Sequence, residues 1–162
     1  MAGLDLAQKA YDIAHATYLG SGSCSQCVLL GVQGAIGIVT DEQIKAAHTL
    51  SGGCSKMGYG ICGALSGSLI ALGANSGRDR DKIEKGKFAE CYIAGRELIG
   101  RFRAEYGGFS CHDFHKKCHG RTFDMWDEAE MAELKSVEFM NACADQTGKV
   151  ASWCVQTLLD TK

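Results

Sequence analysis

Residues 51–73 read SGGCSKMGYGICGALSGSLIALG, a glycine-rich turn with two cysteines that leads into a run of small and apolar residues. The leucines of this run recur at helical spacing, and Gly63 and Gly67 are four residues apart. Glycines at this spacing lie on one helix face and allow a second backbone to approach closely. The stretch therefore predicts a helix that begins at about Cys62 and packs tightly in the interior.

The rest of the chain follows the same helical pattern. Apolar residues recur at spacings of three and four rather than two, and there is no proline to interrupt a helix. A chain of 162 residues with 46% hydrophobic content can bury one core without a second domain. We predict an all-α, single-domain compact bundle of about seven or eight helices over residues 1–162, with a glycine-rich, cysteine-bearing loop.

Helix boundaries are predicted from capping residues. Ser23 is a candidate N-cap for a helix whose first turn holds Cys24 and Cys27, and Thr40 has a capping-box spacing to Gln43. Further helices are expected over residues 4–18, 81–106, 127–139 and 143–159. The last of these would begin at Cys143.

Charge and composition argue against several classes of protein. The net charge of −2 and pI near 6.2 provide no basic surface for nucleic acid. Residues 57–77 carry no charge, but six glycines and three serines make a membrane span a poor interpretation. The N-terminal residues read as an amphipathic helix rather than a signal peptide, so a cytoplasmic protein is expected.

Nine cysteines are many for a protein in a reducing compartment, where structural disulfides are rare. The odd number also leaves at least one thiol outside any set of intrachain disulfides. Metal binding or redox chemistry is therefore favoured. A homodimer is expected as well, because residues 13–77 carry only four charged side chains and the Gly63 and Gly67 face is suited to close contact.

Four segments carry a recognisable pattern of cysteines: CSQCVL with Cys24, CGALSG with Cys62, YGGFSCHDF with Cys111, and ACADQTGKVASWC with Cys143. They resemble the family of redox-active proteins named for its C, GCAxxG, C, C signature, and the resemblance runs from about Cys24 to Leu159. A related four-cysteine region occurs in split-Soret cytochromes c, where it is associated with an iron–sulfur centre. The haem-attachment sequence C-x-x-C-H is absent here, so haem is not expected.

The resemblance implies that Cys24, Cys62, Cys111 and Cys143 hold an iron–sulfur cluster of the 2Fe-2S or 4Fe-4S type. The protein would then be an electron carrier, or a subunit of a redox complex, rather than a stand-alone enzyme, with redox proteins as partners.

Helix starts and glycines would support such a centre. A helix N-terminus stabilises a thiolate, and this reasoning applies to Cys24, Cys62 and Cys143. Glycines such as Gly53 and Gly63 would let backbone N–H groups approach the sulfurs.

Additional side chains leave alternatives open. Cys27, Cys54 and Cys118 depart from the family pattern, and could complete a second cluster, replace a ligand or form a reversible dithiol such as Cys24 with Cys27. The histidines at 112, 115 and 119 could ligate zinc or replace a thiolate, with His119 the candidate for an additional ligand. A cluster-free thiol–disulfide protein and a zinc-binding adaptor are thus the alternatives. Cys91 and Cys154 lie on apolar stripes, where packing in the core is expected.

Overall fold

A computed structural model describes residues 2–86 and 88–160, and within them it contains α-helices, two short 3-10 helices and no β-strand. The all-α prediction is confirmed. The helices are α1 (Ala2–Ser21), α2 (Cys24–Ile36), α3 (Asp41–Ala46), α4 (Gly63–Ser76), α5 (Ala89–Tyr106), α6 (Cys111–His119), α7 (Glu128–Leu134) and α8 (Val137–Asp160). The 3-10 helices are His48–Leu50 and Arg80–Lys82.

The core forms where α1, α2, α4 and α8 pack together, and α5 covers α4 and α8. Gly31 lies where α2 meets α1 and α8. A Cβ atom at this position would be 2.5 Å from the carbonyl oxygen of Ala10 and 3.3 Å from the Cβ of Ala151. Because neither contact leaves space for a methyl group, the three helices cross at close range.

The close helix contact predicted at Gly63 and Gly67 is present between α4 and α2. A Cβ atom on Gly67 would lie 2.5 Å from the carbonyl oxygen of Ser25. This glycine face is therefore covered by α2 of the same chain and does not supply a dimer surface. The homodimer stays a prediction.

Two of the predicted helix starts are confirmed. Ser23 is the N-cap of α2, although its side chain makes no capping hydrogen bond. At α3, the Thr40 side chain accepts a hydrogen bond from the Gln43 N–H, and the Gln43 side chain accepts one from the Thr40 N–H. This reciprocal pair is the capping box that the sequence indicated.

The helix predicted over residues 81–106 is wrong at its start, because α5 begins only at Ala89. Gly86 takes a left-handed conformation with φ of 87°, which ends any helical run there. The segment 80–86 is exposed, so a helix would gain no burial. Lys87, which belonged to the predicted helix, lies outside the described residues.

The predicted break between the last two helices is also wrong. α7 ends at Leu134, and α8 begins at Val137 instead of Cys143. A turn closed by the Ser136 N–H and the Glu133 carbonyl separates them, and the Met140 N–H then bonds to the Ser136 carbonyl. Cys143 consequently lies well inside α8.

The loop after the first 3-10 helix contains an unusual left-handed turn. Five consecutive residues, 52–56, have φ of 66°, 70°, 64°, 49° and 59°. Three of them, Cys54, Ser55 and Lys56, are not glycine, and each is disfavoured there by about 1–2 kcal/mol. Hydrogen bonds hold the turn, including that from the Lys56 N–H to the Ser51 carbonyl. We call residues 52–56 the left-handed turn.

A second, smaller apolar cluster lies beside the main core, formed by Cys111, Phe123, Met125 and Leu134. The two clusters flank the cavity described below. Among the described residues, no helix combines the length and the hydropathy that crossing a membrane requires.

Candidate functional site

The four cysteines of the sequence pattern line one cavity of about 1020 Å³. Cys24 begins α2, Cys62 is the N-cap of α4, Cys111 begins α6, and Cys143 lies on the inner face of α8. All four are buried. They are also mutually close enough for a thiolate on one to raise the pKa of another, and this holds for every pair of the four. The fold therefore brings four distant segments to one place.

Backbone pairing joins the segments that carry Cys62 and Cys111. The Cys62 N–H donates to the Phe109 carbonyl at 2.8 Å, and the Cys111 N–H donates to the Gly60 carbonyl at 3.3 Å. An isolated antiparallel bridge between Ile61 and Ser110 lies between these bonds. The start of α4 is thus fixed beside the start of α6.

Cys24 receives the most hydrogen bonds of the four thiols. Burial raises its pKa, while the N–H groups of Gly52 and Ser25 and the hydroxyl of Ser51 act in the opposite direction. Gly63 makes this arrangement fit, because a Cβ atom there would overlap the Cys24 sulfur. The left-handed turn supplies Gly52, so the strained backbone contributes directly to the site.

Cys62 lies at the N-terminus of α4, as predicted. Its Sγ accepts a hydrogen bond of 2.8 Å from Gln146 Nε2 and is approached by the N–H groups of Ala64 and Leu65. Burial and the charge of Cys24 nevertheless raise the pKa of Cys62 to about 12. In the metal-free protein this thiol is therefore protonated at neutral pH.

Cys143 does not lie at a helix start, so the helix-dipole argument made for it is wrong. Its partner is the hydroxyl of Tyr18, near the end of α1. Burial raises the pKa of Cys143 to about 12 despite this hydrogen bond. Sequence reasoning missed both Tyr18 and Gln146. Gln146 is three residues after Cys143 on the buried face of α8, and a glutamine at such a position is the signal that could have revealed it.

Cys111 begins α6, a helix that is not among those predicted from the sequence. Ser110 and Asp113 form a capping box, with the Asp113 N–H donating to Ser110 Oγ at 3.0 Å. The spacing S-x-x-D in the sequence was the available signal. His115 Nε2 is 3.7 Å from Cys111 Sγ, and burial lowers the pKa of His115 to about 4, so this imidazole is neutral.

The two glycines predicted to bind a cofactor both lie against thiol-bearing residues. A Cβ atom on Gly53 would be 2.9 Å from the Cβ of Cys111, and one on Gly63 would meet Cys24. Both glycines therefore make room for the cysteines. The glycine N–H that reaches the Cys24 thiol belongs instead to Gly52, which precedes Gly53 in the chain.

None of the four candidate additional ligands lines the cavity. Cys27 is fully buried, with its sulfur 3.2 Å from Ser21 Oγ, and Cys54 is half-buried in the left-handed turn. Cys118 is exposed, and His119 has a buried Nε2 without a partner among the described residues. Across residues 2–86 and 88–160, no three His, Cys, Asp or Glu side chains are arranged to hold a metal ion.

The two cysteines assigned to apolar stripes, Cys91 and Cys154, differ in how deeply they are buried. Cys154 is fully buried, and its thiol donates to the Ser68 carbonyl at 3.6 Å. Its expected place in the core is confirmed. Cys91, by contrast, is only half-buried on α5.

Buried thiols make the metal-free protein sensitive to alkali. Burial raises the pKa of Cys154 from 9.0 to about 12, so the folded state keeps a proton that the unfolded chain loses. The free energy of unfolding therefore keeps this contribution in full below pH 9. It decreases as the pH rises from about 9 toward 12, by about 1.4 kcal/mol per pH unit for each such thiol. We expect urea unfolding at pH 7 to 10.5, under reducing conditions, to show this decline.

A Cys154→Val variant is the control for this prediction. It removes one titrating thiol, so its free energy of unfolding should fall less steeply above pH 9. Identical slopes for the two proteins would contradict the assignment of Cys154 as a protonated buried thiol.

Residues 23–157 match the family model described as "Putative redox-active protein (C_GCAxxG_C_C)". Searches of the curated proteins and of the solved structures found no match. The family match covers most of the chain and includes all four cysteines of the cavity. The chain therefore belongs to the C_GCAxxG_C_C family of redox-active proteins.

Proposed function

We propose that the protein binds an iron–sulfur cluster through Cys24, Cys62, Cys111 and Cys143 and exchanges electrons with a redox protein partner. One observation carries the proposal: four buried thiols from four separate helices line the same cavity. Four cysteine thiolates are the common ligand set of both two-iron and four-iron clusters.

The chemistry of the thiols favours an iron–sulfur cluster. All four line the cavity, although no three His, Cys, Asp or Glu side chains among the described residues are arranged to hold a single metal ion. Thiolate is a soft ligand that iron–sulfur clusters prefer.

Hydrogen bonds around the thiols suit a negatively charged group. Gly52 N–H, Gln146 Nε2 and the Tyr18 hydroxyl each reach the sulfur of one cysteine. Such bonds stabilise thiolates and tune the reduction potential of the group they hold. When bound, the cluster would supply a centre that accepts and donates single electrons, while the buried walls limit contact with water.

Metal and sulfide analysis tests the proposal. Protein purified without oxygen should contain iron matched by acid-labile sulfide, and a visible absorption band that bleaches with dithionite. Zinc without iron would contradict the proposal and favour the zinc-binding adaptor. Metal-free protein would leave the dithiol alternative.

Gln146 is expected to set part of the reduction potential. A Gln146→Leu variant keeps the volume but removes the donor to Cys62, so the reduced, more negative state loses stabilisation. If that hydrogen bond is about 1 kcal/mol stronger in the reduced state, the potential falls by about 40 mV. Gln156→Leu on the same helix is the control, because Gln156 lies outside the cavity and pairs with Arg101. Equal potentials in Gln146→Leu and the parent protein would contradict this role.

The second candidate function is a cluster-free dithiol. Cys24 and Cys27 lie three residues apart in the first turn of α2, a placement typical of redox-active cysteine pairs. Mild oxidation of metal-free protein would then remove two titratable thiols reversibly. Loss of no thiols would reject this alternative.

A further inference from the structure

The cavity continues well beyond the four thiols. Along α8 it is lined from Gln146 through Cys143 to Val137. At 1.5 Å per residue, Val137 lies about 9 Å beyond Cys143 along the helix axis. No cysteine lies on this part of α8, so a cluster held by the four thiols would leave it open.

The open part has an apolar lining. It lies where α7 and the first turns of α8 face the end of α1, between the main core and the smaller apolar cluster. Its walls include Met125, Met131, Leu134 and Met140. Methionine side chains are flexible and adapt to ligands of different shapes. The whole cavity, at about 1020 Å³, reaches the upper end of the usual range for small-molecule sites, roughly 300–1,000 Å³.

Outside the thiol end, the side chains at the cavity that are charged at neutral pH are both lysines. Among the described residues, no aspartate or glutamate lines it, although the chain carries more acidic than basic side chains. Lys56, on the left-handed turn, and Lys135, just after α7, are both exposed and lie at its edge. An anionic group at this edge would meet two ammonium groups, although Asp127 and Glu128 line a smaller adjoining pocket that also includes Lys135.

We propose that this part of the cavity binds a small organic acid with an apolar body. The apolar body would lie between Met131 and Met140, the anionic group would face Lys56 and Lys135, and the inner end would reach toward the four thiols. The inference rests on the proposed function in one respect, since the cluster is taken to fill the thiol end. It names the chemical class of a small molecule that binds next to the redox centre.

A pair of dyes tests the ligand class directly. 8-Anilino-1-naphthalenesulfonate has an apolar ring system with one anionic group, and N-phenyl-1-naphthylamine has the same rings without the charge. Calorimetric titration of the anaerobically purified protein should show one saturable sulfonate site per chain, with weaker binding of the amine. High salt should reduce the difference between the two dyes. No saturable binding, or equal binding of both dyes, would overturn the inference.

Matched variants locate the site. Met131→Glu places a carboxylate on the cavity wall and should weaken sulfonate binding by about tenfold or more, whereas Leu4→Glu, at an exposed leucine outside the cavity, should not. Lys135→Glu provides a second test at an exposed position, with Lys9→Glu, exposed and outside the cavity, as its control. Unchanged binding in Lys135→Glu, or equal losses in both lysine variants, would overturn the inference.

Iron and sulfide are measured on the same samples. Iron matched by sulfide without dye binding would leave the proposed function standing and remove the ligand site. Dye binding that depends on Lys135 in protein without iron would keep the ligand site and remove the cluster.

Discussion

Replacement of Cys62 by serine is expected to remove or strongly alter the visible absorption of the protein, with loss of most of its iron and sulfide. Cys62 is buried, and its thiol receives hydrogen bonds from Gln146 and from the N-terminus of α4. Serine is nearly isosteric, but its hydroxyl is a poor ligand for iron compared with a thiolate. Spectra together with iron and sulfide assays on protein purified without oxygen give the measurement.

Cys154→Ser is the matched control for this experiment. Cys154 is as deeply buried as Cys62 but lies outside the cavity, and a serine hydroxyl there can still donate to the Ser68 carbonyl. The control should keep the full absorption band. If Cys62→Ser had the same spectrum as the parent protein, Cys62 would not be a ligand.

Substitution of Gly67 by alanine is expected to destabilise the protein by about 2 kcal/mol or more. The new Cβ atom would lie 2.5 Å from the carbonyl oxygen of Ser25 on α2, and neither backbone can yield without moving a helix. Displacement of α2 from α4 would also separate Cys24 from Cys62. We expect a lower free energy of unfolding in urea, together with a lower cluster content.

Gly73→Ala, on the same helix, is the matched control, and we expect it to have the opposite effect on stability. A Cβ atom there would have no neighbour within 4 Å, so alanine should stabilise α4 by roughly 0.5–1 kcal/mol through its greater helix propensity. If both variants were equally stable, the close approach of α2 to α4 would not be the reason for glycine at position 67.

Local sequence signals predicted the parts of the fold that depend on neighbouring residues. Thr40 and Gln43 identified α3, and Cys62 marked the start of α4, because capping and glycine spacing act within a few residues of the chain. The spacing of Gly63 and Gly67 also predicted close packing. It could not identify α2 as the partner, since this depends on the tertiary arrangement of the helices.

Features of the site that depend on distant residues were beyond local reasoning. Tyr18 reaches Cys143 from α1, at the other end of the sequence, and no spacing rule connects them. The position of Cys143 inside α8 was missed for a local reason: Ser136 is a residue type that favours N-caps, but it has Phe139 three residues later instead of the Glu or Gln that completes a capping box. The conformation of Ser55 and Lys56 also opposed their intrinsic preference, which favours right-handed backbone.

The left-handed turn has a consequence for the order in which the protein folds. An unfolded chain seldom samples five left-handed residues in succession, so we expect this segment to gain its native conformation only after the surrounding helices have docked and can hold it. Gly52 and Gly53 lie in the turn, and they contact Cys24 and Cys111. The thiol site is therefore completed at the end of folding, and a chain that has not folded fully presents scattered cysteines instead of a binding site.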